Sequence, residues 1–130
     1  MITEQFVSLE TARLLKQKGF DEICNMEYGY EDGKGYVLQK WIIYDGEIKN
    51  SQLIEEACTA PSQSLVMRWL REEKHLFVEV ATDRKPSLVG MCFRVGVYDM
   101  SIDCLFEKDN IDTYEDACEY AIKYCLERLL

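Results

Sequence analysis

Residues Thr59–Val80 read TAPSQSLVMRWLREEKHLFVEV, and a change of period inside this stretch decides the fold class. Leu65, Val66, Trp69 and Leu70 recur at helical spacing, while Arg68, Arg71 and Glu72 fall off that stripe. Pro61 fits at or before a first helical turn, where its missing N–H costs nothing, and Ser62 or Thr59 can cap. The helix is predicted to end near Lys74. The period then drops to two: Leu76, Val78 and Val80 alternate with His75, Phe77 and Glu79, which is the pattern of a half-buried strand. A helix feeding a strand places Trp69 in a core. His75 is read as complementing the helix C-terminal dipole rather than as a catalytic imidazole.

Downstream, Thr82–Ser87 reads as a turn, and Val89, Met91, Phe93, Val95 and Val97 alternate along a second strand. With Asp99 and Met100 as a two-residue hairpin loop, Val97 would face Ile102, Val95 would face Cys104 and Phe93 would face Phe106, giving three apolar cross-strand pairs. The opposite face carries Arg94, Gly96, Tyr98, Ser101 and Asp103 and reads as wetter. On it Cys92, Arg94 and Tyr98 form a candidate ligand face. The C-terminal stretch is a capped helix. Asp112 or Thr113 caps it, Glu115 or Asp116 stands at capping-box spacing, and Tyr114, Ala117, Cys118, Ala121, Ile122, Cys125, Leu126 and Leu129 form one apolar stripe. That stripe is predicted to cover the apolar face of a three-strand meander.

Upstream, Ser8 caps a helix whose apolar side is Leu9, Ala12, Leu14 and Leu15, and Gly19 supplies the left-handed residue past its end. Strands are predicted near 24–30, 36–44 and 47–50. Tyr30–Gly35 is a turn between the first two, and Asp45–Gly46 is a tight turn after the second. The expected architecture is α+β in a single domain, residues 1–130: an antiparallel sheet, made of a hairpin plus a three-strand meander, with about three helices packed mainly on one face.

Composition narrows the function classes. The chain has 130 residues, 48% hydrophobic and 30% charged, with a net charge of −9. Residues 96–130 hold nine carboxylates against three cations. Such a surface repels phosphate backbones, so no nucleic-acid partner is expected. No apolar run approaches the ~20 residues that cross a bilayer, so no membrane partner is expected either. The opening residues lack a basic segment followed by an apolar one, and a cytoplasmic location is expected. Six cysteines in no C-x-x-C spacing, with one histidine, read as free buried thiols rather than disulfides or zinc ligands. No cofactor is expected.

The motifs are read against plain structural alternatives. GYEDGKG (Gly29–Gly35) has one residue too few for a phosphate loop and runs into a strand, so it reads as a hairpin turn. The carboxylates Asp99, Asp103, Glu107, Asp109 and Asp112 lack the glycine and glutamate of a calcium loop and read as turn and cap charge. Tyr28, Tyr30, Tyr36, Trp41 and Tyr44 crowd into residues 28–44 among three glycines. They form a candidate partner surface, because tyrosine and tryptophan are enriched at protein interfaces. The strand Tyr36–Tyr44 is apolar on both faces near its middle, which motivates a homodimer through this hairpin.

FVSLETARLLKQKGFDE (Phe6–Glu22), APSQSLVMRWLRE (Ala60–Glu72) and DTYEDACEYAIKYCLERLL (Asp112–Leu130) together resemble a family of small uncharacterised proteins carried in genomes, prophages and mobile elements of gut bacteria. The resemblance covers about a third of the chain and implies a context, not an activity. It carries no catalytic residues. The functional expectation is a non-enzymatic phage or mobile-element accessory protein acting on an unknown protein partner. A small enzyme or ligand-binding protein using the wetter sheet face is the first alternative. An acidic mimic of DNA is the second.

Overall fold

The computed structural model describes residues 2–84 and 90–130. It shows an α+β chain with three helices and two three-stranded antiparallel sheets. The chain divides into two compact units, residues 1–62 and 63–130.

The first unit opens with α1 (Leu9–Gln17). Ser8 caps it, its Oγ accepting from the Thr11 N–H at 3.2 Å. At the other end Gly19 takes φ 87°, and the Phe20 N–H returns to the Leu15 carbonyl at 2.9 Å while the Gly19 N–H reaches Lys16. This paired closure satisfies the last carbonyls and needs a left-handed residue at Gly19. Ala12, Leu15 and Phe20 are buried. The sheet follows in the order β2-β1-β3, with β1 (Met26–Glu31), β2 (Gly35–Lys40) and the short β3 (Cys58–Thr59). The β1–β2 turn falls on GYEDGKG as read, with Gly33 and Gly35 at positive φ and the Lys34 N–H bound to Glu31.

Two expectations for this unit are corrected. The strand predicted over 36–44 stops at Lys40. The apolar run Trp41–Ile43 leaves the sheet, so its two-sided apolarity does not describe a strand. The strand predicted at 47–50 shrinks to one bridge, Ile48 to Cys24, with bonds of 2.8 and 2.9 Å. Asp45–Gly46 does turn the chain, at φ 58° and 78°, but within a 3₁₀ turn rather than a hairpin.

The second unit starts with α2 (Gln63–Glu73). Trp69 is 6% exposed and Val66 and Leu70 are buried, as the helical stripe requires. His75 holds φ 57° beyond the helix end, and the Leu76 N–H closes back onto the Leu70 carbonyl at 3.0 Å. β4 (Phe77–Arg84), β5 (Met91–Tyr98) and β6 (Cys104–Ile111) form the meander in the order β4-β5-β6. Thr82–Arg84 belong to β4; Lys85–Ser87 of the expected turn, and Val89, lie outside the described residues. α3 (Tyr114–Tyr124) is capped by Thr113, whose Oγ accepts from the Asp116 N–H at 3.0 Å. Its buried stripe of Ala117, Cys118, Ala121 and Ile122 continues through a π-helical turn to Cys125 and Leu126. α3 packs mainly on β5 and β4, where Val95 and Val97 are buried. The Gln63 Nε2 ties α2 to α3, donating to the Glu115 carbonyl at 3.0 Å and to Glu119 at 3.1 Å.

The β5–β6 register differs from the expected one. Tyr98 faces Cys104, Val97 faces Phe106, Val95 faces Lys108 and Phe93 faces Ile111, with register shifts between Phe93 and Val95 and between Val97 and Tyr98. The cause is the loop, which is five residues long rather than two. The Asp99 carboxylate accepts from the N–H groups of Ser101 (2.9 Å) and Asp103 (3.1 Å), holding residues 99–103 as a side-chain-stabilised turn. Ile102 therefore sits at φ 64° and 82% exposed instead of pairing with Val97. A β-branched residue with left-handed backbone is strained. Ile102→Gly is expected to raise the stability of this unit by about 1 kcal/mol, measured by urea unfolding; a loss of stability would mean that the isoleucine side chain is held by contacts in the native state.

Candidate functional site

The tyrosine-rich hairpin and the segment that follows it carry exposed apolar side chains of the first unit: Tyr30, Leu38, Ile42 and Ile43. The hairpin's geometry follows from the ladder. The Trp41 N–H bonds to the Asn25 carbonyl at 2.9 Å, and the β1–β2 register pairs Met26 with Lys40. In an antiparallel pair, hydrogen-bonded and non-bonded positions alternate. Gly35, Val37 and Gln39 thus spend their backbone groups on β1, while those of Tyr36, Leu38 and Lys40 point away from the sheet. The opposite edge is β3, two buried residues long. Among the described residues, β2 is therefore the long open edge of this sheet, and its pairing with β1 runs without a register shift.

Side chains on the hairpin divide by face. Tyr28, Tyr30, Tyr36 and Leu38 share one face, with Tyr30 paired to Tyr36 and Tyr28 to Leu38. The Tyr28 hydroxyl is tied down, donating to the Val7 carbonyl at 2.6 Å. Tyr36 packs edge-on against Tyr30 at 5.6 Å, and the Arg13 guanidinium lies 5.0 Å over its ring. Tyr30 and Leu38 are exposed. On the other face Gly29 leaves room for the Gln39 side chain, which crosses it to donate to the buried Glu27 carboxylate at 2.8 Å. Trp41 is half-buried, and its Nε1–H has no acceptor among the described residues. Beyond it Ile42 is 84% exposed and Ile43 is exposed as well. The side chain of Tyr44 lies outside the described residues.

The predicted partner surface is thus brought together in part. Tyr30 and Tyr36 stay at the surface with Leu38, whereas Tyr28 is a structural tether. Sequence reasoning missed Ile42 and Ile43 as surface residues, because it placed them inside a strand. It also missed the open cleft of about 440 Å3 beside Tyr36, lined by Arg13, Lys16, Glu55, Glu56 and Cys58. In that cleft the Lys16 ammonium is already spent, donating to the Ile54 and Ala57 carbonyls at 2.7 and 2.6 Å.

The candidate ligand face on β5 is less united. Cys92 is 3% exposed, Arg94 is exposed, and the half-buried Tyr98 lays its ring against Gly96, where a β-carbon would meet it. In the second unit an aromatic group stands out instead. Phe106 stacks on Tyr124 at 3.9 Å and on Tyr120 at 5.8 Å, with the Lys108 ammonium 4.9 Å over the Tyr120 ring. These rings fasten β6 to α3.

All six cysteines are free, and five are buried; Cys104 is exposed. Burial pushes the Cys24 and Cys118 thiols up to about 11 and Cys125 up to about 12, and raises Cys58 as well. A native-state thiol titration near pH 8 is expected to label one cysteine, Cys104, quickly, and the other five only after unfolding. Rapid labelling of a second thiol would show that one of the five opens to solvent. Because these thiols hold their protons more tightly when folded, their contribution to stability is complete below the unfolded value near 9. It is lost as pH rises toward 11–12.

Among the described residues, no three histidine, cysteine or acidic side chains gather as metal ligands would, and no helix is long and apolar enough to cross a membrane. No protein-family model, curated protein or solved structure matches the chain.

Proposed function

We propose that this chain is a non-enzymatic accessory protein, of the kind carried by phages and mobile elements, that acts through protein contacts made at β2 and the segment behind it. The observation that carries this reading is the pairing of an open strand edge with exposed apolar side chains: Tyr30, Leu38, Ile42 and Ile43 lie within fourteen residues of chain around that edge. A free edge offers main-chain hydrogen bonds, and neighbouring apolar side chains supply the desolvation that gives such a contact its strength. The phage or mobile-element context rests on the resemblance of the three quoted segments. The test is capture from bacterial lysate on immobilised wild type and on Ile42→Glu/Ile43→Glu, with circular dichroism showing both folded. A protein retained by the wild type and lost by the variant is expected. Equal retention by both, or none by either, would move the contact elsewhere or remove it.

A further inference from the structure

We infer that the partner for the β2 edge is a second copy of this chain, joined in one antiparallel register centred on Leu38. This rests on the reading of β2 as a contact edge and names its occupant.

Three observations select the register. First, the outward backbone groups belong to Tyr36, Leu38 and Lys40. An antiparallel partner must oppose outward residues to outward residues. For two identical strands related by a two-fold axis, centring on Leu38 does this at every position: Leu38 meets Leu38, and Tyr36 meets Lys40 twice.

Second, the side chains that meet are compatible. Leu38 is exposed in the single chain and finds an apolar mate. Each Lys40 lands opposite Tyr36, at the cleft that also carries the Glu55 and Glu56 carboxylates, so no two lysines face each other. Centring on Val37 instead would set Lys34 against Lys40, like charges that destabilise a pair. A two-fold axis placed between two residues, as between Leu38 and Gln39, would instead set the outward groups of each strand against inward groups of the other.

Third, the ends fit. Trp41 falls opposite Gly35, whose missing β-carbon would have nothing within 4 Å, leaving open space for the indole. The β6 edge of the second sheet lacks this regularity. It carries two register shifts, a left-handed Asn110, and Glu107, Lys108 and Asp109 in a row. Those are the devices that blunt an edge, and β2 has no register shift to do the same.

The register makes a covalent test possible. Directly opposed hydrogen-bonded residues have Cα atoms about 5.5 Å apart, within disulfide range. In a Cys104→Ser background, which removes the exposed native thiol, Leu38→Cys is expected to form a linked dimer under mild oxidation. Gln39→Cys, whose mate would be Val37, is expected not to. A Leu38→Pro variant is the second measurement. The Leu38 N–H points away from β1, so proline there leaves the internal ladder whole and removes only the intermolecular bond. Sedimentation of the wild type is expected to show twice the monomer mass, and Leu38→Pro a folded monomer.

A wild type that stays monomeric up to several hundred micromolar overturns the inference. So does linkage through Gln39→Cys in preference to Leu38→Cys. Protein capture that Leu38→Pro abolishes, by a wild type that is itself monomeric, would overturn self-pairing while leaving the edge as the contact surface.

Discussion

Trp69→Ala is expected to destabilise the second unit by about 3–5 kcal/mol, the range for truncating a buried aromatic residue. Trp69 is 6% exposed on the inner stripe of α2, beside the fully buried Val66 and Leu70, and Lys74 lies 5.3 Å over its ring. Removing the indole leaves a cavity that α2 cannot close without shifting on its neighbours. Each unit holds one tryptophan, Trp41 in the first and Trp69 in the second. Urea unfolding of a Trp41→Phe variant followed by fluorescence therefore reports the second unit alone, and circular dichroism reports the alanine variant. A loss below about 1 kcal/mol would take Trp69 out of the core and return α2 to consideration as a recognition helix.

Asn50 is expected to be the most sensitive polar position in the first unit. It is buried, its Nδ2 donates to the Phe20 carbonyl at 2.8 Å, and its Oδ1 accepts from the Thr59 N–H at 2.9 Å. One amide thus links the end of α1 to β3. Asn50→Ala strands both backbone groups away from water, at roughly 1–3 kcal/mol each, and a total loss of about 2–4 kcal/mol is expected. Asn50→Asp separates the two bonds. Its carboxylate can still accept from Thr59 but presents a charge to the Phe20 carbonyl, so burial and that carbonyl raise the folded-state pKa above the unfolded value near 4. The neutral acid can donate to Phe20. The aspartate variant should therefore be most stable below pH 4 and lose stability as pH rises through its folded pKa, measured by denaturation between pH 3 and 7. A variant indifferent to pH would show that water reaches this site.

How much of this was legible depends on the kind of signal. The helices were readable because their determinants are local: Ser8 and Thr113 cap, Gly19 closes, and the stripes around Trp69 and Ala121 keep one period. The meander was readable from alternation, but its register was not. The Asp99 carboxylate binds two N–H groups of its own loop, and a side-chain bond of that sort lengthens a turn without changing the hydrophobic pattern. The strand that starts near Tyr36 ends four residues before its propensity does. Trp41, Ile42 and Ile43 have strand propensity, but the chain leaves the sheet after Lys40 and returns at the bridge from Ile48 to Cys24. Asn50 carried no signal at all. A lone asparagine between a lysine and a serine reads as the end of a short strand, and its two partners lie thirty residues before it and nine after.

The alternation along β2 also sets a clock for each amide. In a lone chain the protons on Val37, Gln39 and Trp41 are locked in the ladder, while those on Tyr36, Leu38 and Lys40 meet deuterium freely. Exchange along this strand should therefore run slow and fast by turns, one residue at a time, a comb that amide-resolved spectra can read. Whatever strand settles on that edge, its first trace would be the fast teeth of the comb falling into step with the slow ones.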